Sequence, residues 1–570
     1  FTPDFLKKLM FGMLAICVLV LFIACLNVMN MQFARATLRA KELAVRSSLG
    51  ATRIRLIRQM LTESIILATF GAVLGVGGSY WAIDFLTAVV ANLNFPPPSW
   101  ITFDIDGVVL GFTVAATAIA AVASGLVPAW MSSRANAVEA LKESGRGNTS
   151  RSVNFITRGL VVTQIVLTSV ILVASFLLAK SMNAQQHVDY GYDTGGAIVA
   201  RMGLMDGDYP TQQDRLNFYR RLLVQLRSNS QFESAALTSR FRMTFVFTGP
   251  GALPIEIEGK EYKDDKDRPN TSLEQISEGY YEALGVELLE GRDFNADDSD
   301  QKQPIAIVNA AFARKHFAGQ SALGRRFRTV ANNSTLFGPW RTIVGVSPDL
   351  RMAGPFNNAN IDDTGFYLPF ASAITGPTPD QPSVSQFATV IARPRGGQQA
   401  VTLADALRRE VSKVDGNLPL YFIETPAAGQ NSFIAQNRII AIMVGIFGVV
   451  AVILASVGLY GVMSFSVNQR AQEFGVRMAL GADGGRILGM VLRQGASQIG
   501  LGLVIGLGLT YVLAYAGRAQ LQNFFFQTSP TDFRSYLAVG ALVAVVSLLA
   551  ALVPARRATK VDPMIALRAE

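Results

Sequence analysis

Long apolar runs crowd both ends of the chain, and one polar block, residues 181–436, lies between them. Seven runs, near 10–32, 63–90, 108–131, 158–180, 437–466, 487–516 and 536–554, reach the roughly 20 apolar residues that a helix needs to cross a bilayer. The polar block has a different rhythm. Short β-like runs at Ala197–Met202, Ile255–Ile257, Pro304–Val308, Thr342–Val346 and Thr389–Ala392 alternate with helix-like stretches such as Thr211–Leu226 and Ala400–Val414. Such alternation predicts one or two compact mixed subdomains. The predicted fold is therefore a membrane α-helical bundle of about seven spans plus one α+β domain.

Basic residues set the direction of the spans. Arg35, Arg39, Lys41, Arg46, Arg53, Arg55 and Arg58 follow the first span, whereas the loop at 91–107 has no Lys or Arg and carries Asp104 and Asp106. The stretch 132–158 is basic again through Arg134, Lys142, Arg146, Arg151 and Arg158. Arg470, Arg477 and Arg486 flank a later loop, and Arg556, Arg557, Lys560 and Arg568 fill the tail. Cytoplasmic loops collect Lys and Arg, which puts all four of these segments in the cytoplasm of a multi-pass inner-membrane protein. The first span then runs inward, and residues 181–436 are extracytoplasmic.

The same membrane module occurs twice. Arg39-Ala-Lys-Glu-Leu-Ala-Val-Arg-Ser-Ser-Leu-Gly-Ala51 returns as Arg470-Ala-Gln-Glu-Phe-Gly-Val-Arg-Met-Ala-Leu-Gly-Ala482, with eight of thirteen positions identical. At the same offset of 431, Gly71, Gly75 and Gly77 match Gly502, Gly506 and Gly508, and Tyr80 matches Tyr511. Small residues four apart let helix backbones approach closely in lipid, in ordinary bundle packing or at a pseudo-twofold axis. The last span repeats as well, Leu126-Val-Pro-Ala129 as Leu552-Val-Pro-Ala555. The second copy has a leading span and the outer domain, and the first supplies only three spans. The outside start at Phe1 leads to the expectation of a longer protein with eight spans. The predicted organisation is an extracytoplasmic stub (1–9), a first three-span module (10–131) and a cytoplasmic linker (132–157). A leading span (158–180), the outer domain (181–436) and a second three-span module with a cytoplasmic tail (437–570) complete it.

Within each repeated segment a carboxylate and a guanidinium stand four apart, Glu42 with Arg46 and Glu473 with Arg477, and can pair on a helix face. Leu43, Val45 and Leu49, matched by Phe474, Val476 and Leu480, are expected to form its apolar side. Gly50 and Gly481 suit a helix end. A short helix of this kind at the membrane face fits an anchor held by anionic lipid or a docking surface for another protein, and the residues alone leave both open.

Composition narrows the function classes. Half of the 570 residues are hydrophobic and 16% are charged, well below the quarter or so usual in soluble domains. The net charge of +9 has its place at the cytoplasmic face, and no basic run is interleaved with aromatics, so a nucleic-acid partner is not expected. Cys17 and Cys25 both lie in the first apolar run, and His187 and His316 are far apart, so no metal residues are assigned. No nucleophile-elbow or zinc-protease pattern occurs, and no catalytic residues are assigned. A phosphate-binding G-x-x-x-x-G-K-[ST] loop is missing too. The sole Gly-Lys pair, Gly259-Lys260, lies in the outer block, so no nucleotide cofactor is expected in this chain.

The pattern Arg-x-x-Glu-x-x-Val-Arg-x-x-Leu-Gly-Ala after a span resembles the signature of FtsX-like permeases, the membrane subunits of MacB-type ABC transporters. The outer block adds Ile276-Ser-Glu-Gly-Tyr-Tyr-Glu-Ala-Leu-Gly285, Gly291-Arg-Asp-Phe294, Val308-Asn-Ala-Ala-Phe-Ala313, Gly324-Arg-Arg-Phe327 and Ile343-Val-Gly-Val346. These are similar to the MacB-type periplasmic core domain, and the duplicated arrangement resembles the duplicated permeases of acidobacteria. The resemblance implies coupling helices that contact cytoplasmic ABC ATPase subunits, two copies in all, which bind ATP and Mg. Carried over, the ATPase-coupling residues would be Arg39, Glu42, Val45, Arg46, Leu49 and Gly50, with Arg470, Glu473, Val476, Arg477, Leu480 and Gly481 in the second copy. It implies mechanical transmission across the membrane in efflux, with a periplasmic adaptor and an outer-membrane exit duct as further partners. MacB carries its nucleotide-binding domain in the same chain, and this sequence departs from that. The alternatives are an FtsX-like regulatory scaffold that controls extracytoplasmic cell-wall hydrolases without transport, and a membrane enzyme with its site in residues 181–436.

Overall fold

A computed structural model describes residues 3–39, 42, 46, 51–91, 104–132, 151–240, 251–300, 304–331, 336–352, 363–372, 384–522 and 524–559. Its long helices are α1 (Pro3–Leu38), α2 (Arg53–Ala91), α3 (Gly107–Ser132) and α4 (Arg151–Gln186) in the first part of the chain. The outer part uses α5 (Gln212–Ser228), α6 (Tyr280–Leu284), α7 (Ala310–His316) and α8 (Ala404–Val414). The chain ends with α9 (Pro426–Gln469), α10 (Ala471–Ala479), α11 (Gly484–Ala516) and α12 (Phe533–Ala558). Seven of these helices are long and apolar enough to cross a membrane, one for each predicted apolar run. Two compact units result. Residues 1–181, 438–521 and 528–570 form the membrane unit, and residues 182–437 with 522–527 form the outer unit.

In the membrane unit, α3 packs against α1 and α2, and α12 packs against α11. With little hydrophobic drive between helices in lipid, close backbone approach and interhelical hydrogen bonds supply the attraction. Both are present. A Cβ on Gly125 of α3 would lie 2.6 Å from Ser64 Oγ of α2, and Gln32 of α1 donates to that oxygen at 3.0 Å. Where α1, α4 and α9 meet, Ile23, Ile171 and Ala451 form a small buried core, and Ser175 of α4 donates to the Val444 carbonyl of α9 at 2.8 Å. Lys180 of α4 pairs with Asp532 at 2.6 Å. Asp532 is also the N-cap of α12, accepting from the Ser535 amide at 3.1 Å and its hydroxyl at 2.5 Å. Hydrogen bonds from Lys180 and Ser535 hold the Asp532 carboxyl below its ordinary range.

Among the described residues the outer unit has twelve strands. They are β1 (Ile198–Gly203), β2 (Phe232–Thr238), β3 (Ala252–Ile257), β4 (Asn270–Ile276), β5 (Glu290–Gly291) and β6 (Ile305–Asn309). There follow β7 (Arg326–Ala331), β8 (Leu336–Phe337), β9 (Arg341–Ser347), β10 (Gly365–Pro369), β11 (Phe387–Pro394) and β12 (Tyr421–Glu424). The strand order β10-β6-β9-β7-β3-β4 closes on itself, because β10 also pairs with β4 in parallel from Gly365/Ser272 to Pro369/Ile276. The result is a six-stranded barrel filled by Ile255, Ile257, Phe327, Ile343, Phe366 and Leu368, with Phe312 of α7 packed against them. Closure leaves those strands without edges.

From β4 the sheet continues as β2-β11-β1-β12. Alternate residues of β1 serve opposite faces. Ile198, Ala200 and Met202 join Phe218 and Leu222 of α5 and Leu407 of α8 on one side, and Val199 joins Tyr280, Tyr281 and Leu284 of α6 on the other. A capping box starts α5, with the Asp214 amide donating to Thr211 Oγ1 and the Thr211 amide to Asp214 Oδ2, each at 3.1 Å.

The five β-like runs fall within β1, β3, β6, β9 and β11 with shifts of a residue or a few at their ends. The strand β4 gave no such signal, because its buried positions include Thr271, Ser272, Glu274 and Gln275. Two of them, Glu274 and Gln275, are hydrogen-bonded within the domain. Thr238 of β2, for example, donates to Glu274. The stretch at Ala400–Val414 begins as a 3₁₀ turn, Ala400–Leu403, before α8.

Candidate coupling sites at the repeated segments

The second repeated segment is the helix α10, preceded by Arg470. Glu473 accepts an ion pair from Arg477 at 2.6 Å, one turn on, and lies 3.8 Å from Arg470. In the first copy Glu42 and Arg46 are helical and pair at 2.5 Å. Both pairs are solvent-exposed, so each is worth only a fraction of a kcal/mol. Their effect is to fix where the charges point.

The arginines also tie each segment to the helix that follows. Arg39 pairs with Glu63 at 3.0 Å and Arg46 donates to Gln59 at 2.7 Å, both on α2. At the equivalent positions Arg470 donates to Gln494 at 3.5 Å and Arg477 to Met490 Sδ at 3.0 Å, both on α11. The geometry repeats, but the first copy uses a carboxylate and an amide where the second has an amide and a thioether. Around the first copy, Gln32, Arg35, Arg39, Glu42, Gln59, Met60 and Glu63 line a small cleft. The partners Gln59, Glu63, Met490 and Gln494 were missed in the sequence, although their shared offset of 431 from one another was available there.

The apolar side differs from expectation. Phe474 is 2% exposed, whereas Val476 is 44% and Leu480 83% exposed. Helical periodicity explains the correction. Residues two apart face nearly opposite ways, so Phe474 turns inward while Val476 and Leu480, four apart, share the outer face. Leu43, Val45, Leu49 and Gly50 of the first copy lie outside the described residues.

The ends of the two segments share one hydrogen bond. Gly481 has φ of +91°, the Ala482 amide donates to the Arg477 carbonyl at 2.9 Å and the Gly481 amide to Met478 at 3.0 Å. These are the paired bonds of a Schellman cap. The first copy makes the corresponding bond from the Ala51 amide to the Arg46 carbonyl at 3.0 Å. An L side chain is disfavoured in this left-handed conformation, so Gly481→Ala is expected to cost about 1–2 kcal/mol. Faster hydrogen exchange across 471–482, with the spans unchanged, is the measurement that checks it.

The glycines of the two copies sit differently. A Cβ on Gly502 would lie 2.8 Å from Ile165 Cβ, and one on Gly506 would lie 3.0 Å from both Ser169 Cβ and the Val166 Cα. These two residues seat the leading helix α4 against α11. Among the described residues, a Cβ on Gly71, Gly75, Gly77 or Gly508 would meet nothing within 4 Å, so the expected helix-packing role is not met at these four positions. The physical reason for Gly71 and Gly75 is that no counterpart of α4 lies beside α2 among the described residues.

Two three-helix modules, a leading helix, an outer barrel-and-sheet unit and a Glu–Arg ion pair repeated at equivalent places define a multi-pass membrane protein with a large domain outside the spans. Residues 14–137 and 445–563 match the FtsX-like permease C-terminal family, and residues 165–410 match the MacB-like periplasmic core domain. The chain belongs to the FtsX-like, MacB-type permease family. It is 22% identical over 301 residues to the macrolide export ATP-binding/permease protein MacB of Chromobacterium violaceum, covering 53% of this chain and 44% of that protein. It is 23% identical over 303 residues to the probable syringafactin export ATP-binding/permease protein SyfD of Pseudomonas syringae pv. tomato, covering 52% and 42% respectively. The chain thus spans less than half the length of these relatives. The periplasmic region of MacB from Actinobacillus actinomycetemcomitans aligns over 42% of this chain and 94% of that one, at 14% identity and a TM-score of 0.28.

Proposed function

We propose that this chain is the membrane subunit of an ABC-type exporter whose ATPase is a separate polypeptide, docked on the two repeated segments. One observation carries the reading. On α10 the charges are held by neighbours on its own unit, while Val476 and Leu480 remain exposed together on the outer face. An apolar pair beside an oriented ion pair is the composition of a docking spot with a greasy centre and a charged rim. The relatives give the partner's chemistry, since they are named ATP-binding/permease proteins and extend well beyond the region matched here.

In this mechanism ATP and Mg are bound by the partner, and closure of two ATPase subunits pulls the two segments. Arg39 and Arg46 pass the pull to α2 through Glu63 and Gln59, and Arg470 and Arg477 pass it to α11 through Gln494 and Met490. The chain enters and leaves the outer unit through α4 and α9, so helix movements are delivered to the outer domain without a nucleotide site of its own. A periplasmic adaptor and an outer-membrane duct would complete the export route.

Charge reversal tests the docking. The double variant Glu42→Arg with Glu473→Arg is expected to lose co-purification of the co-expressed ATPase at least tenfold, about 1.4 kcal/mol, with membrane insertion unchanged. Undiminished association in that variant would sink the assignment.

A further inference from the structure

We infer that Asn27 and Gly458 form an asymmetric lock that pairs the two unequal modules with each other within one chain, in preference to a second copy of the chain. The two residues are equivalents, because the offset of 431 that relates Arg39 to Arg470 also relates Asn27 to Gly458. They nevertheless meet, where α1 and α9 pack around Ile23, Ile171 and Ala451. A Cβ on Gly458 would lie 2.2 Å from Asn27 Oδ1 and 2.4 Å from Gln164 Oε1. A side chain there would have to push aside the amide ends of Asn27 and Gln164.

The bare glycine gives access to the backbone one turn earlier. Asn27 Nδ2 donates to the Leu454 carbonyl at 2.8 Å. Gln164 Nε2 of α4 donates to the same carbonyl at 2.8 Å and to Asn27 Oδ1 at 3.0 Å. Three helices are therefore joined at one carbonyl, in a region where water offers no alternative partner.

Equivalent helices meeting about a twofold axis would ordinarily place the same residue on both sides. Two asparagines here would have no glycine to receive them, and two glycines would remove the side-chain amide that joins α1 to the Leu454 carbonyl. Only the mixed pair fills the space and satisfies the amide, and a single polar residue in a helix interface is a known way to choose the partner. The inference stands apart from the docking reading, since it concerns which modules pair and not what binds them.

The test uses the full chain in lipid nanodiscs, with two differently tagged copies co-expressed, as wild type, Asn27→Gly, Gly458→Asn and the exchanged double variant. Wild type is expected to carry little of the second tag. Asn27→Gly is expected to carry several-fold more of it, each single variant to melt lower than wild type, and the double variant to regain more than half of the summed loss. Losses that simply add in the double variant, or a wild type that carries as much second tag as Asn27→Gly, would overturn the lock. Should Gly458→Asn not accumulate, Gly458→Ala with and without Asn27→Gly replaces it. Recovery on removing the Asn27 side chain supports the lock, and no recovery overturns it.

Discussion

Replacing Glu256 with glutamine is expected to cost the outer unit about 3 kcal/mol. Glu256 lies on β3 between Ile255 and Ile257, which point into the barrel. Its carboxylate therefore faces outward, where it pairs with Arg268 at 2.7 Å and Arg328 at 2.5 Å, and all three side chains are largely shielded from water. Arg328 is further held over the rings of Phe337 and Trp340, at 4.1 and 4.8 Å from their centroids. The neutral amide would take from both guanidinium groups the carboxylate they share, and loss of one partner from a shielded network is far costlier than the network's own net contribution.

Acid tests the same residue. Burial alone would raise the Glu256 pKa, but hydrogen bonds and charge from Arg268 and Arg328 outweigh it and hold it below its usual 4.5. A depressed folded value means that this stabilisation is complete above the unfolded value and is lost as pH falls through the folded one. Hydrogen exchange of β3 and β7 in the intact protein is the measurement. Protection is expected to fall in the variant at neutral pH, and to depend less on acid than in wild type. Equal protection in both at neutral pH would refute the network's role.

The second large effect is expected at Gly506. Leucine there has to displace Ser169 and the backbone of α4 at Val166, and overpacking of this kind costs about 1–3 kcal/mol or more. At the equivalent Gly75 a Cβ would meet nothing within 4 Å among the described residues, and Gly75→Leu is expected to leave the melting temperature of the same chain unchanged. Measured side by side, the two variants distinguish a helix seat from a shared sequence feature. A Gly506→Leu chain that melts like Gly75→Leu would contradict the packing of α4 on α11.

Much of the architecture was legible because its signals are local. Each predicted span became one helix, since about 20 consecutive apolar residues can satisfy their backbone in lipid in no other open form. The strands β1, β3, β6, β9 and β11 carried enough apolar residues to be read, whereas β4 buries Thr271, Ser272, Glu274 and Gln275 and reads as loop. At the candidate site, the Glu–Arg pairs and the glycine cap of α10 followed from helical spacing. The outward turn of Val476 and Leu480 did not, because an apolar residue carries no mark of whether a neighbour will cover it.

By itself, then, the sequence determined the spans, their direction, the duplication and the Glu–Arg pair in each copy, all of which depend on residues close together in the chain. Tertiary structure alone decided the closing of the barrel between Ser272 and Gly365, the choice of Gly502 and Gly506 over Gly71 and Gly75 as helix seats, and the meeting of Asn27 with Gly458. Each of those depends on which distant surface lies opposite. Identical motifs at equivalent positions therefore take on different work in the two halves of one chain.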